Sequence, residues 1–290
     1  MLQTQKSYET REQGTLYLVP TPIGNLGDMT FRAVEVLKEV QWIAAEDTRN
    51  TIKLLTHFDI VTPQISFHEH NTQERIPYLV GLLKKGDSIA QVSDAGMPSI
   101  SDPGHELVQA CIEERIPVVP LPGANAAVTA LIASGLAPQP FTFIGFLKRK
   151  KKEQIEQWEA LKNKEETMIF YESPYRLKET LANMITVFGE ERQTVICREL
   201  TKRYEEFIRG SARDVLEWLD ETGIKGEICL LVAGNPEPEV AEVVAYPEDL
   251  KQHVTQVMAQ ENISSKDAIK QVAKIRSLKK QEVYQAYHEI

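Results

Sequence analysis

Val92-Ser-Asp-Ala-Gly-Met-Pro-Ser-Ile-Ser-Asp-Pro-Gly104 is the stretch that decides how this chain folds. A short apolar run, Ser88 to Val92, precedes it, and a helical pattern from His105 to Cys111 follows. The order is therefore strand, long polar loop, helix. An α/β connection normally needs about two to six residues, and this one spends about twice that. It spends them on Gly, Pro, Ser and Asp, which allow positive φ, fix φ, or bond the local backbone. Loops of this kind at the carboxyl end of a strand are where open α/β sheets bind ligands.

The rest of the chain sets the frame. Its 290 residues suffice for about two domains, each with a core of its own. A hydrophobic share of 42% with 26% charged residues excludes global disorder. No apolar run approaches the roughly 20 residues of a membrane span, and the polar start from Met1 to Glu12 does not read as a signal peptide. Cys111, Cys197 and Cys229 are far apart and form no CxxC pair, so they read as reduced core thiols of a cytoplasmic protein. A net charge of −9 argues against a nucleic-acid coat but leaves room for a local basic site.

Taken in order, Thr15 to Pro20 is a buried strand in composition. It runs into Thr21-Pro-Ile-Gly-Asn-Leu-Gly-Asp28 and then a helix with apolar positions Phe31, Val34, Leu37 and Val40. A dinucleotide fingerprint fails there, because Pro22 stands two before Gly24 and has no N–H for a pyrophosphate. Further strands are expected at 42–45, 64–67 and 116–120, with helices at 51–58, 72–83, 106–113 and 126–133. Alternation of this kind predicts a mostly parallel sheet with helices on both faces. A second α/β domain begins near Pro138-Gln-Pro140, with strands at 141–146, 167–171, 194–198, 204–209 and 227–232. The consecutive strands there predict antiparallel pairing in a mixed sheet. The expected division is 14–137, 138–235, a Pro- and Glu-rich linker at 236–247, and a helical appendage at 248–290 with Ser264 or Ser265 as an N-cap.

Several polar groups stand at the strand ends. His68-Glu-His70 would put two imidazoles on one side of a strand, but no third ligand is evident, so no metal is assigned and both read as substrate-facing. Glu46-Asp47-Thr48-Arg49 reads equally as a helix cap and as part of a site. In Glu172-Ser-Pro-Tyr-Arg176 capping explains Ser173 and Pro174 and leaves Glu172 and Arg176 for ribose or phosphate. Lys148, Arg149 and Lys150 open a run of five cations suited to tracking phosphates. Beyond Ser264 there are six Lys/Arg against three Asp/Glu, with Lys266, Lys270 and Lys274 as one helical stripe.

These residues resemble a known family. Thr15-Leu-Tyr-Leu-Val-Pro-Thr-Pro-Ile-Gly-Asn-Leu-Gly-Asp28, Ala45-Glu-Asp-Thr-Arg49, the 92–104 loop and Leu121-Pro-Gly-Ala-Asn125 are similar, in order, to motifs of the bacterial RsmI family. Gly145-Phe-Leu-Lys-Arg-Lys150, Phe170-Tyr-Glu-Ser-Pro-Tyr-Arg176, Arg198-Glu-Leu-Thr-Lys202 and Lys225-Gly-Glu227 continue the likeness, which runs from about Gly14 to Gly234. That family comprises 16S rRNA cytidine 2′-O-ribose methyltransferases of the tetrapyrrole-methylase fold. The resemblance implies two α/β domains, a small helix-turn-helix-like appendage, a homodimer, and S-adenosylmethionine bent in the cleft between the domains. It places the cofactor on Pro22, Gly24 and Asn25, and on Asp94, Ala95, Gly96, Met97, Ser99, Ile100 and Ser101. It adds Pro122, Gly123 and Ala124, with backbone near Tyr171 and Ala233 reaching the adenine. Met97 stands where Thr is common, and Ala124-Asn125 where Pro-Ser is usual.

The implied chemistry is displacement at a sulfonium methyl group by a ribose hydroxyl, which needs positioning and a place for its proton. Asp47, Glu172, Glu199 and Lys202, with His68, are the candidates converging on the cleft, and spacing does not choose among them. Arg49, His68, His70, the 148–150 cations, Arg176 and the C-terminal lysines are the expected contacts to 16S rRNA or the 30S subunit. A tetrapyrrole C-methylase sharing the fold and a non-catalytic rRNA assembly factor are the rival readings. The basic segments favour RNA, and the glycine loops favour an enzyme.

Overall fold

The computed structural model describes residues 2–7, 9, 12–238, 246–276 and 278–289. Two compact units divide the chain, Met1–Pro238 and Glu239–Ile290. Residues 239–245 of the expected linker lie outside the described residues.

The first half alternates strand and helix. β1 (Leu16–Leu18), α1 (Phe31–Glu39), β2 (Trp42–Ala45), α2 (Thr48–His57), β3 (Gln64–Ser66) and α3 (Thr72–Lys84) lead to β4 (Ile89–Val92), α4 (His105–Glu113), β5 (Val118–Pro120) and α5 (Ala126–Ser134). The five strands form a parallel sheet in the order β3-β2-β4-β1-β5. β4 is buried at all four positions, as a strand covered on both faces must be. One core layer gathers Val19, Leu37, Ile43, Val92 and Val119. The other gathers Leu16, Ile65, Leu79, Leu83 and Leu107. Each such side chain contributes about 1.5–3 kcal/mol on burial.

The second half holds β6 (Phe141–Phe146), α6 (Lys151–Leu161), β7 (Thr167–Glu172), α7 (Pro174–Phe188), β8 (Gln193–Arg198), β9 (Glu206–Ser211), α8 (Ala212–Thr222) and β10 (Ile228–Val232). Its sheet runs β6-β7-β10-β8-β9, with β6 parallel to β7 and the other pairs antiparallel. Ser173 caps α7 with Pro174 at its first turn, and Ser211 with Asp214 forms a capping box on α8. Trp158 and Phe170 pack edge to face at 4.9 Å in the core beneath.

Boundaries shift where a cap or a turn outweighs the apolar pattern. α2 starts at Thr48 rather than Thr51 because Asp47 accepts from the Arg49 amide. β9 starts at Glu206 rather than Tyr204, since the chain turns through Glu199 and Thr201 at φ of +52° and +67°. α5 precedes the Pro138-Gln-Pro140 boundary in sequence yet packs on the second sheet, with Ala127, Ala130 and Leu131 against Ile169, Val195 and Leu231.

The second compact unit contains α9 (Leu250–Glu261), α10 (Ser265–Ile275) and α11 (Lys280–His288) around Val254, Ile269, Val272 and Val283. Ser264, not Ser265, is the N-cap of α10, accepting from the Asp267 amide.

Candidate active site

β1 and β4 are neighbours whose connections leave in opposite directions, toward β2 and toward β5. That makes the gap between their carboxyl ends the topological switch point of the sheet. The two loops meet directly over it. Thr21 and Gly96 exchange both backbone hydrogen bonds at 3.0 Å, and Thr21 Oγ1 donates to Ser93 O at 3.0 Å. The long loop is folded back by Gln91, whose Nε2 donates to Pro103 O (2.8 Å) and Ser99 Oγ (3.2 Å). Gly104, at φ +142°, leaves no room for a side chain against that amide.

A cleft of about 370 Å³ opens on one side of the Thr21–Gly96 bridge. Ala95, Gly96, Met97, Ile100, Ser101 and Asp102 form the wall from the first sheet, and Asn125 with Ala126 adds the start of α5. The second sheet supplies Phe146, Tyr171, Glu172, Ser173 and Pro174, together with Cys197, Leu200 and Gly226 to Cys229. The size and the largely apolar lining suit a cofactor-sized ligand. Among the described residues the amides of Met97, Ile100 and Ser101 donate no hydrogen bond, which leaves backbone donors for a ligand's polar groups.

On the other side of the bridge lies a groove of about 250 Å³ bounded by Pro22, Gly24, Asn50, Lys53 and Asp94. So the expected cofactor residues divide. Ala95, Gly96, Met97, Ile100, Ser101 and Tyr171 line the cleft, whereas Pro22, Gly24 and Asp94 face the groove. Asn25 caps a short turn by accepting from the Gly27 amide at 2.9 Å. Ser99 accepts from Gln91, and the Ala124 carbonyl lies near Gly96. Pro122 is exposed and lines neither space. Gly123 is required by Pro20, since a β-carbon there would fall 2.7 Å from the proline ring. Ala233 does not line the cleft. β10 runs away from the cleft, which touches Ile228 and Cys229, and Ala233 follows its far end, bonded to Gln193 O.

The catalytic candidates divide as well. Asp47 caps α2 and accepts from Arg49 Nε (2.9 Å) and Nη2 (2.6 Å), and these bonds from Arg49 pull its carboxyl down to about 2. Glu172, with its side chain 1% exposed, accepts from the Ser173 amide (2.7 Å) and Thr180 Oγ1 (2.8 Å). Arg176 Nη2 donates to Leu147 O (3.3 Å) and Lys148 O (2.9 Å), so it is anchored to backbone rather than free for phosphate. Glu199 and Lys202 do come together at the mouth of the cleft. Lys202 Nζ lies 3.1 Å from both Glu199 Oε1 and Glu227 Oε2. Burial works against the Lys202 ammonium, but the two carboxylates more than offset it and hold its pKa up. The Glu227 amide, chiefly, holds Glu199 below the usual carboxylate range.

His68 and His70 lie beyond the end of β3, the edge strand, rather than on the strand that their alternation suggested, with rings 6.0 Å apart and outside the cleft. Lys148, Arg149 and Lys150 are exposed beside Phe146. Lys266, Lys270 and Lys274 are exposed on α10. Among the described residues no three His, Cys, Asp or Glu gather as metal ligands, and no helix is long and apolar enough to cross a membrane.

The sequence reading missed Asp102, although it lies within the opening stretch. Asp102 lines the cleft half-buried; desolvation raises its pKa, partly offset by a hydrogen bond from Ser93. It missed Cys197 and Cys229 too, which face each other across β8 and β10 and form part of the cleft's floor. Burial pushes the Cys197 thiol to about 12, so both behave as apolar lining.

Comparison with known proteins adds the lineage. The family described as Tetrapyrrole (Corrin/Porphyrin) Methylases matches residues 15–216. A protein named Ribosomal RNA small subunit methyltransferase I from Streptococcus pyogenes serotype M18 is 56% identical, covering 100% of both chains. The protein of the same name from Bacillus subtilis is 53% identical, covering 99% of each. The fold is similar to that of uroporphyrin-III C-methyl transferase from Thermus thermophilus complexed with S-adenyl homocysteine. The TM-score is 0.53 at 16% identity, over 76% of this chain and 97% of that one.

Proposed function

Because the chain belongs to the tetrapyrrole methylase family and, across its full length, to the ribosomal RNA small subunit methyltransferase I proteins, we propose that it methylates a cytidine ribose 2′-hydroxyl of 16S rRNA. The methyl donor is S-adenosylmethionine. The observation that carries this reading is the cleft at the switch point, joined to 53–56% identity over the whole chain.

The donor fits the residues present. A largely apolar cleft of about 370 Å³ with unused amides at Met97, Ile100 and Ser101 suits an adenosyl group carrying an amino-acid tail. Bound there, S-adenosylmethionine supplies an electrophilic methyl on sulfonium and leaves as a neutral thioether. Ala95, Gly96, Met97, Ile100, Ser101 and Asn125 would hold the donor in the cleft. Tyr171, whose hydroxyl burial holds at about 12, stays neutral and serves as a wall.

The acceptor hydroxyl must lose a proton as its oxygen takes the methyl. Asp47 and Glu172 already spend their oxygens on Arg49, Ser173 and Thr180. Lys202 is held as a cation and Glu199 as a weak base. Asp102 faces the cleft with a carboxyl made more basic by burial, so it takes the proton and passes it to water. Lys202 stabilises the negative charge that grows on the ribose oxygen. Arg49, His68, His70, Lys148, Arg149, Lys150 and the α10 lysines Lys266, Lys270 and Lys274 are the phosphate and base contacts of this reading.

The enzyme acts in the cytoplasm, on free 16S rRNA or the 30S subunit, as a homodimer. The exposed pair Val128 and Ile132, one turn apart on α5, supports self-association. The test is methyl transfer from labelled donor into 30S subunits, protein-free 16S rRNA and uroporphyrinogen, with the methylated nucleotide mapped. Label appearing in uroporphyrinogen alone would refute the reading.

A further inference from the structure

Resting on that rRNA reading, we infer that Tyr175 and Phe146 form a stacking platform on the rim of the cleft for an unpaired base of the acceptor RNA. Tyr175 is 96% exposed on the first turn of α7, next to Ser173 and Pro174 in the cleft wall. Phe146 is 61% exposed at the end of β6, lines the same cleft, and meets Tyr171 edge-on at 5.8 Å. Scattered exposed apolar residues are ordinary on a surface. Two large exposed aromatics, one lining a ligand cleft and the other directly following its wall residue Pro174, beside exposed cations, are a particular arrangement.

The two segments that carry the rings are tied together. Arg176, the residue after Tyr175, donates to Leu147 O and Lys148 O, the residues after Phe146. The same turn is tied to α6, because Gln154 Nε2 donates to Lys148 O (3.3 Å) and the Lys148 amide donates to Gln157 Oε1 (3.1 Å). Behind it runs a buried polar chain. Asn183 donates to Gln154 (2.7 Å), Gln154 to Thr180 (3.2 Å), and Thr180 to Glu172 (2.8 Å). All four of those side chains are buried, so the chain is costly unless complete, and when complete it fixes the rim. Glu172 and Arg176 are thus positioning residues.

A π face flanked by cations fits an unstacked nucleotide, whose base stacks while its phosphates meet Lys148 and Arg149. Duplex RNA hides its base faces, so the site takes a splayed or single-stranded segment. A second copy of the chain would instead place five exposed cations, Lys148 to Lys152, against one another.

The experiment compares Tyr175→Ala, Tyr175→Phe and Tyr175→Trp with the unmodified full chain. Protein-free 16S rRNA and an unstructured oligoribonucleotide serve as probes. Tyr175→Ala should weaken RNA binding about tenfold. Cofactor affinity and the slope of log affinity against log salt should stay unchanged, because a ring releases no counterions. Tyr175→Phe and Tyr175→Trp should bind like the parent. Lys148→Ala should instead lower the salt slope. Unchanged RNA affinity in Tyr175→Ala would overturn the platform, as would a change in oligomeric state without loss of RNA binding. Failure of the parent protein to methylate rRNA would strike the rRNA reading instead.

Discussion

The aliphatic stem of Lys202 lies on Gly24. A β-carbon at Gly24 would fall 2.4 Å from Lys202 Cγ, and φ there is +156°. The contact joins the loop after β1 to the turn after β8, and aims the ammonium between Glu199 and Glu227. Gly226, at φ +96°, leaves the space that Glu199 occupies.

Lys202→Ala should lower the methyl-transfer rate by about 10- to 100-fold, the range for losing a charge-assisted contact. Cofactor Kd should stay within about twofold, because Lys202 does not line the cleft. Gly24→Ala should reproduce part of the loss by displacing the Lys202 stem. Single-turnover kinetics with calorimetric cofactor titration checks both; a parallel loss of cofactor affinity would move Lys202 into the cofactor site.

Asp102→Asn should lower the rate by about 10²- to 10⁴-fold at neutral pH. Asp102 titrates above its ordinary 3.8, so the parent rate should fall as pH drops through that raised value. The amide cannot titrate, so the acidic limb should vanish in the variant. A pH–rate profile with the same limb in both proteins would exonerate Asp102.

Gly123 and Gly96 should fail differently. Gly123→Val drives its side chain into Pro20 and should destabilise the fold by about 1–3 kcal/mol, as overpacking does. Gly96→Ala meets Ile23 at 3.3 Å with φ at +78°, so its backbone strain should cost about 1–2 kcal/mol. It should also weaken cofactor binding, since Gly96 lines the cleft. Denaturant melts beside cofactor titrations separate the two effects.

His253 should make the C-terminal helices acid-sensitive. It is buried beside Tyr246, and Arg276 Nε donates to its Nδ1 at 3.1 Å, which requires a neutral ring. Burial, then the Arg276 charge, lowers its pKa below the ordinary 6.5. The stability this gives is complete above pH 6.5 and is lost as pH falls through the depressed value. An NMR titration of the imidazoles should show His253 protonating last on acidification, and a value above 6.5 would contradict the burial argument.

Removing residues 239–290 should spare cofactor binding and weaken RNA binding. If Lys266, Lys270 and Lys274 each neutralise one phosphate, the salt slope should fall by roughly 2–3. Filter binding across a salt series reads this, and an unchanged slope would leave the helices without a role on RNA.

The sequence by itself determined the elements. Apolar runs and caps act within a few residues, so Ser173 could be read as a helix start from its neighbours alone, and the cap of α10 was narrowed to Ser264 or Ser265. Loop composition likewise singled out the 92–104 stretch, which lines the cleft. What each site residue does was decided only by tertiary structure. Ala233 sits far from the cleft because β10 runs antiparallel to β7, and strand direction is a property of pairing that no local pattern carries. Arg176 read in the sequence as a charge left for ribose or phosphate, but folding tied it to the Leu147 and Lys148 carbonyls, 29 and 28 residues away. Asp102 became a candidate base because the second sheet closes the cleft over it, and burial by a distant segment leaves no trace in its neighbours along the chain.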